Sequence, residues 1–193
     1  MLEDAARRKD NRVQAGGEYE MVDLYLSLGS NQGDRAQNIE NAVSLLNVEL
    51  RTPYKSISSL LETEPWGFES DEKFLNAAVH YQLRLKKGYN PEAEGLMILE
   101  ICKDIERRMG RTGEPQYDEK GERIYTDRPI DIDILFYGEQ MIDEARLTVP
   151  HPRLHERMFV LAPLEEICPT LMHPTLGKSI KELKRELEEG QRQ

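Results

Sequence analysis

Cysteine, long apolar runs and positive charge are all scarce in this 193-residue sequence, and each shortage removes a class of explanation. Cys102 and Cys168 stand alone, without metal-type spacing, so a cysteine-built metal site is excluded and reduced thiols of a cytoplasm are expected. No apolar stretch approaches the roughly 20 residues of a membrane-spanning helix. Arg7, Arg8 and Lys9 have no apolar segment behind them, so a secretory signal is not expected. With 26 Lys and Arg against 36 Asp and Glu, the net charge is −10, and a general basic face for nucleic acid is missing. Any anionic ligand must then meet a local positive cluster, so the expected partners are small molecules, with no nucleic acid and no membrane. A monomer is expected. Internal repeats are absent, and the length suits one domain without room for a second large catalytic one.

What is present centres on Arg128-Pro129-Ile130-Asp131-Ile132-Asp133-Ile134-Leu135-Phe136-Tyr137. Apolar and acidic residues alternate there with a period of two, the pattern of a strand with unlike faces. Ile130, Ile132 and Ile134 would enter a core, leaving Asp131 and Asp133 side by side on the other face, roughly 7 Å apart. Two carboxylates at that distance repel by about 2 kcal/mol at an effective dielectric near 20. A hard divalent cation would convert the repulsion into attraction, and Mg²⁺ is the usual choice where phosphates complete the shell. The plainer reading is an edge strand with a solvated acidic face. Arg128 beside the pair favours phosphate chemistry.

Taken in order, residues 1–20 are polar and aperiodic and predict a flexible extension, with the folded domain over 21–190. Leu24, Leu26 and Leu28 alternate with Tyr25 and Ser27 as a first strand. It runs into a Gly29–Asp34 turn, and a helix capped by Asp34 and Gln37 follows, burying Ile39, Val43, Leu46 and Leu50. The turn lacks the Gly-Lys-Ser/Thr ending of a phosphate loop and reads as a tight connection sooner than as a nucleotide cradle. A second strand is expected over about 54–61, then an aromatic loop with the single Trp, Trp66, either a lid or a loop anchored on the core. The strand beginning at Phe74 puts Leu75, Ala77, Val79, Tyr81, Leu83 and Leu85 on a buried face. Phe74 and Asn76 lie on the opposite face, suited to stack on a heterocycle and read its edge, or else packed under a helix. Asn90-Pro91 opens a helix with a stripe of Ala93, Met97, Ile101 and Ile105. Glu106, Arg107, Arg108 and Arg111 crowd its end, where cations also complement the helix dipole. Residues 111–127 show no apolar period and are expected to form a lid. His151, His155, Arg153 and Arg157 make a second positive cluster, and a last helix capped by Ser179 and Glu182 buries Ile180, Leu183 and Leu187.

Five segments in this order resemble the 6-hydroxymethyl-7,8-dihydropterin pyrophosphokinase family. They are Leu26-Ser27-Leu28-Gly29-Ser30-Asn31, Glu62-Thr63-Glu64-Pro65-Trp66-Gly67, Phe74-Leu75-Asn76-Ala77-Ala78, the Arg128–Ile134 stretch, and Leu147-Thr148-Val149-Pro150-His151-Pro152 through Arg157 and Phe159. The resemblance implies an α+β, ferredoxin-like, antiparallel-rich sheet with helices packed on it in a single domain. It implies pyrophosphate transfer from MgATP to the pterin hydroxymethyl group with release of AMP, in folate biosynthesis. Asp131 and Asp133 would hold two Mg²⁺ ions, with Arg128 and Arg123 as further catalytic residues. Gly29, Thr63, Trp66, Phe74, Asn76 and Phe159 would form the pterin site, the rings of Phe74 and Phe159 enclosing the bicycle. Glu106, Arg111, Arg128, Ile134, Thr148, His151 and Arg157 would meet ATP. The chain departs from the best-known bacterial members in a longer 111–127 segment, in Tyr125 where Trp is common, and in Glu64 where Pro is common. Two other functions fit parts of the pattern: a two-metal nucleotidyltransferase, which would release pyrophosphate instead of AMP, and a pterin- or nucleotide-binding module without turnover.

Overall fold

The computed structural model describes residues 18–66, 71–111 and 127–191, together with the backbone of 116–117 and 123–124. The alternating leucines form the centre of strand β1 (Tyr19–Ser30), which is hydrogen-bonded on both edges. β1 begins two residues inside the stretch expected to be an extension; residues 1–17 lie outside the described residues. Helix α1 (Arg35–Glu49) follows, its first turn capped by Asp34, whose side chain accepts from the Gln37 N–H. It buries Ile39, Ala42, Val43 and Leu46, while Leu50 ends the helix half-buried.

The single strand expected over 54–61 is instead two short ones, β2 (Ser56–Ile57) and β3 (Leu61–Thr63), both paired antiparallel with β4 (Phe74–Lys86). Side-chain competition causes the break. The Ser58 hydroxyl takes the Ala78 N–H at 3.0 Å, and the Ser59 N–H turns away to the Glu166 carboxylate at 3.0 Å. Helix α2 (Pro91–Arg108) is capped by Asn90 as expected, but its buried face is Gly95, Ile98, Cys102, Ile105 and Glu106. Of the expected stripe only Ile105 is fully buried; Met97 is exposed. The helix is rotated because Gly95, with no side chain, lets it approach the hairpin of β8 (Ile142–Glu144) and β9 (Leu147–Val149). A Cβ on Gly95 would stand 3.0 Å from both Ile142 Cδ1 and Leu147 Cδ2.

Between α2 and the acidic strand, the stretch expected to be an aperiodic lid contains a two-rung antiparallel pair, β5 (Gln116–Tyr117) with β6 (Arg123–Ile124). Its remaining residues lie outside those described. The acidic strand is β7 (Asp131–Tyr137). Helix α3 (Met158–Ile167) and helix α4 (Ile180–Gly190) complete the chain, α4 with the reciprocal Ser179–Glu182 cap.

The main sheet has the order β2-β4-β1-β7, with β3 also on β4, and all its pairs are antiparallel. This is the ferredoxin-like connectivity. One face carries Leu24, Leu26, Leu28, Val79, Tyr81, Ile132 and Ile134 against α1 and α2. The other carries Tyr25, Ala78, Leu135 and Phe136 against α3 and α4. β7 serves both cores through a bulge opposite Tyr25 and Leu26, where Ile134 pairs with Leu26 and Phe136 with Tyr25, leaving Leu135 as the extra residue. Beyond the reach of α3 and α4, the second face stays open at the end of β1. Among the described residues no helix is long and apolar enough to cross a membrane.

The rotation of α2 predicts a contrast between neighbours. Ile98→Ala is expected to cost about 2–5 kcal/mol in urea unfolding, as for a buried truncation. Met97→Ala should change stability by less than about 0.5 kcal/mol, as for a surface site. Equal losses would restore the stripe read from the sequence.

Candidate active site

Three strands lay the floor of the open end. Gly29 on β1 faces Asn76 on one neighbour and Asp131 on the other; two residues back, Ser27 faces Ala78 and Asp133. The alternation that drives Ile132 and Ile134 into the first core therefore turns both carboxylates to the second face. Ser27, Gly29, Asn76, Asp131 and Asp133 all line one cavity of about 100 Å³. Gly29 is required by close approach, since a Cβ there would stand 3.2 Å from Asn76 Oδ1 and 3.5 Å from the Phe74 ring.

One wall is apolar and aromatic. Phe74 and Thr63 are partners across β3 and β4, and Trp66 and Phe159 face each other with ring centroids 6.1 Å apart. All four line the cavity. Asn76 Nδ2 donates to Thr63 Oγ1 at 2.8 Å and to the Leu61 carbonyl at 3.3 Å. Those bonds fix the carboxamide, which is almost wholly buried, and direct Oδ1 towards the Gly29 side. Trp66 is also held by two guanidinium groups, Arg153 at 4.5 Å and Arg157 at 4.8 Å from its centroid.

The opposite wall is charged. Asp131 bonds Arg111 through Oδ1 and lies 3.2 Å from Arg128 through Oδ2. Burial alone would raise its pKa, but Arg128, Arg111 and Lys103 outweigh burial and hold the carboxyl well below the usual carboxylate range. Asp133 faces Arg157 at 4.0 Å. Glu106, 2% exposed, is packed behind Asp131. One of its oxygens takes the Ile132 N–H at 2.8 Å; the other meets Arg111 at 2.8 Å and Lys103 at 3.1 Å. Burial and the Asp131 charge push its pKa up, and Lys103 and Arg111 oppose them. The His151 imidazole is pushed down by burial; Asp133 works against that shift and Arg157 with it. Its Nδ1 accepts from the Arg153 N–H at 3.2 Å, so a neutral ring carries its proton on Nε2 and can donate a hydrogen bond there.

Of the residues expected from the sequence, Gly29, Thr63, Trp66, Phe74, Asn76, Phe159, Arg128, Asp131, Asp133, His151 and Arg157 converge on this cavity. Arg111 joins through its bond to Asp131, and Glu106 supports from behind. Two do not converge. The Ile134 side chain is buried in the first core, because the alternation that exposes Asp133 hides its neighbour. Thr148 is exposed on β9 and lines a neighbouring groove that shares His151. The side chain of Arg123 lies outside the described residues. Ser27 and Asn31 were missed. Ser27 was readable, since it shares the Gly29 face two residues earlier; Asn31 is wholly buried beside Arg128 and carries no sequence signal of its role.

Among the described residues no group of three or more His, Cys, Asp or Glu is arranged to hold a metal. The Asp pair supplies only oxygen donors and opens to the cavity, which suits a hard cation whose remaining ligands come from phosphate and water.

Comparison with known proteins bears on the family and the fold. The family model described as 7,8-dihydro-6-hydroxymethylpterin-pyrophosphokinase (HPPK) matches residues 25–169. A 2-amino-4-hydroxy-6-hydroxymethyldihydropteridine pyrophosphokinase of Bacillus subtilis is 40% identical over 144 residues, covering 75% of this chain and 77% of its own. One from Porphyromonas gingivalis is 41% identical over 155 residues, covering 80% and 95%. Among solved structures, a wild-type Plasmodium falciparum HPPK-DHPS with pteroate superposes with a TM-score of 0.62 at 17% identity. That match covers 88% of this chain but only 43% of the other, and it shows the likeness of fold.

Glu106 offers a direct test of the charged wall. Glu106→Ala strands the Ile132 N–H and unbalances Arg111 and Lys103, and should cost about 3–5 kcal/mol in urea unfolding, the scale of a broken buried pair. Glu106→Gln keeps an acceptor for Ile132 and should cost clearly less. Equal costs would remove the backbone bond from this account.

Proposed function

The chain belongs to the 7,8-dihydro-6-hydroxymethylpterin-pyrophosphokinase family, and we propose that the cavity at the end of β1 is where its two substrates meet. The protein is an ATP-dependent diphosphotransferase of folate biosynthesis that passes pyrophosphate to the hydroxymethyl group of 6-hydroxymethyl-7,8-dihydropterin. What remains to assign is the work of each residue.

The pterin lies between Phe74 and Phe159, with the bicycle stacked on their faces. Asn76 reads its edge. Because Nδ2 is already bonded to Thr63 and Leu61, Oδ1 is the atom left to accept from a ring N–H or amino group. Trp66 closes the aromatic side, and Gly29 leaves room for the ring beneath. The observation that carries this reading is the row Asn76–Gly29–Asp131, which sets a heterocycle reader and a carboxylate on the two strands that flank β1 in one floor.

The triphosphate lies over Asp131 and Asp133. Arg128 and Arg157 line the cavity, Arg111 sits at its charged edge, and together they provide guanidinium forks for phosphate oxygens. Neutral His151 adds a donor. Arg123 is assigned to the same set, and Ile134 and Thr148 are assigned to the nucleotide, Ile134 through its backbone. Asp131 and Asp133 would hold Mg²⁺, two ions by the family pattern. Bound there, Mg²⁺ would neutralise phosphate charge and polarise the β-phosphorus.

In the transfer, the hydroxymethyl oxygen forms a bond to the β-phosphorus while the bond from that phosphorus to the α,β-bridging oxygen breaks, and AMP leaves with that oxygen. The hydroxyl proton passes to water as the new bond forms. Binding phosphates lets Arg111 and Arg128 exchange a carboxylate partner for a phosphate one, freeing Asp131 oxygens for a cation. Rate arises from holding alcohol and phosphorus in line and from charge placed where the phosphates change, with no covalent enzyme intermediate.

Incubation with MgATP and the hydroxymethyl dihydropterin should form AMP and the pterin pyrophosphate. Asp131→Asn should lower kcat by at least on the order of a hundredfold, comparable to losing one preorganised electrostatic group, while circular dichroism stays unchanged. Phe159→Ala should act mainly on the pterin KM. A normal kcat in Asp131→Asn would take the carboxylate out of the site, and release of pyrophosphate in place of AMP would point to nucleotidyl transfer.

A further inference from the structure

Asn31 follows the last residue of β1 and is wholly buried. Its Oδ1 accepts from the Arg128 N–H at 2.8 Å, and its own backbone N–H donates to the Arg128 carbonyl at 3.2 Å. One residue thus grips the Arg128 peptide group by group. The amide Nδ2 donates to Asp127 Oδ1 at 2.6 Å and reaches the Glu72 carbonyl at 3.5 Å. A backbone N–H can only donate and a carboxylate accepts, so these partners leave the amide one orientation.

The gripped arginine belongs to both halves of the cavity. Its guanidinium lies 3.2 Å from Asp131 Oδ2 and 5.7 Å from the Phe74 ring centroid. The Glu72 contact lies two residues before Phe74, so the same amide also touches the segment that delivers the ring. We propose that Asn31 and Asp127 form a positioning pair that sets Arg128 against the phosphates, beside the Phe74 ring. The inference rests on the assignment of Arg128 to the triphosphate made above. Neither side chain touches substrate; both act through Arg128.

Three variants of the full chain test this. Asp127→Ala removes the acceptor at an exposed residue. Asn31→Asp sets two carboxylates against each other at the same contact. The double variant Asn31→Asp with Asp127→Asn restores one donor and one acceptor with their direction reversed, while the residue at 31 still accepts from the Arg128 N–H. Asp127→Ala and Asn31→Asp should each lower kcat by on the order of tenfold to a hundredfold, the cost of a small misplacement of a catalytic group. The pterin KM should move by no more than about threefold, and the double variant should recover most of the lost kcat, since a restored partner cancels the loss. The proposal is overturned if the single variants only melt earlier and keep kcat per folded molecule, or if the double variant recovers nothing. Should Asn31→Asp fail to fold, the kcat of Asp127→Ala decides. Arg128→Ala, measured alongside, separates the two levels. Full turnover in it would defeat the arginine assignment itself; a loss in it beside normal kcat in Asp127→Ala would defeat only the positioning pair.

Discussion

The antiparallel register of β1 between β4 and β7 is the constraint on which the rest depends. It pairs Gly29 with Asn76 and with Asp131 in a single row, so the carboxamide proposed to read a heterocycle and the carboxylate proposed to hold a metal share a floor before any loop is considered. Strand periodicity makes that register all-or-none, because a slip of one residue sends every side chain to the opposite face. Leu24, Leu26 and Leu28 are wholly buried, and the cost of exposing them fixes the register from beneath.

Charge is arranged around that floor by pairing. Two neighbouring carboxylates with a third acid, Glu106, packed behind them would be costly in a half-buried site without partners. Arg111 lies between Asp131 and Glu106, Arg128 takes the other Asp131 oxygen, and Lys103 closes the group from the helix. Glu106 also accepts the Ile132 N–H, so α2 is bonded to the middle of the acidic segment as well as packed on it. The cavity thus combines ionised acids with cations that hydrogen-bond phosphate geometry well, in a protein whose net charge is −10.

The acidic strand and its two faces were legible because alternation is local and needs no partner to be seen. Phe74 and Asn76 were legible for the same reason, although only the fold decides that the ring and the carboxamide face a cavity and are not sealed beneath a helix. The buried face of α2 was not readable. Met97 looks apolar yet tolerates exposure, and the contact that turns the helix is made at Gly95, which has no side chain to signal it. The break between β2 and β3 was hidden likewise, since Ser58 and Ser59 disrupt the ladder through bonds to Ala78 and to distant Glu166. Asn31 shows the limit most plainly: its partners Asp127 and Arg128 are 96 and 97 residues away. For Ile134, motif position placed the residue near the nucleotide, whereas strand parity sends its side chain the other way.

The extra residue in β7 divides one ribbon into two independently phased halves. Up to Ile134 the odd-numbered positions, Asp131 and Asp133, face the cavity; past Leu135 the even-numbered Phe136 takes over that side and Tyr137 returns to the first core. Were the strand regular, fixing the acids would dictate which aromatic went where. With the phase shift, the half that packs can drift in size and shape while the half that reacts keeps its aim.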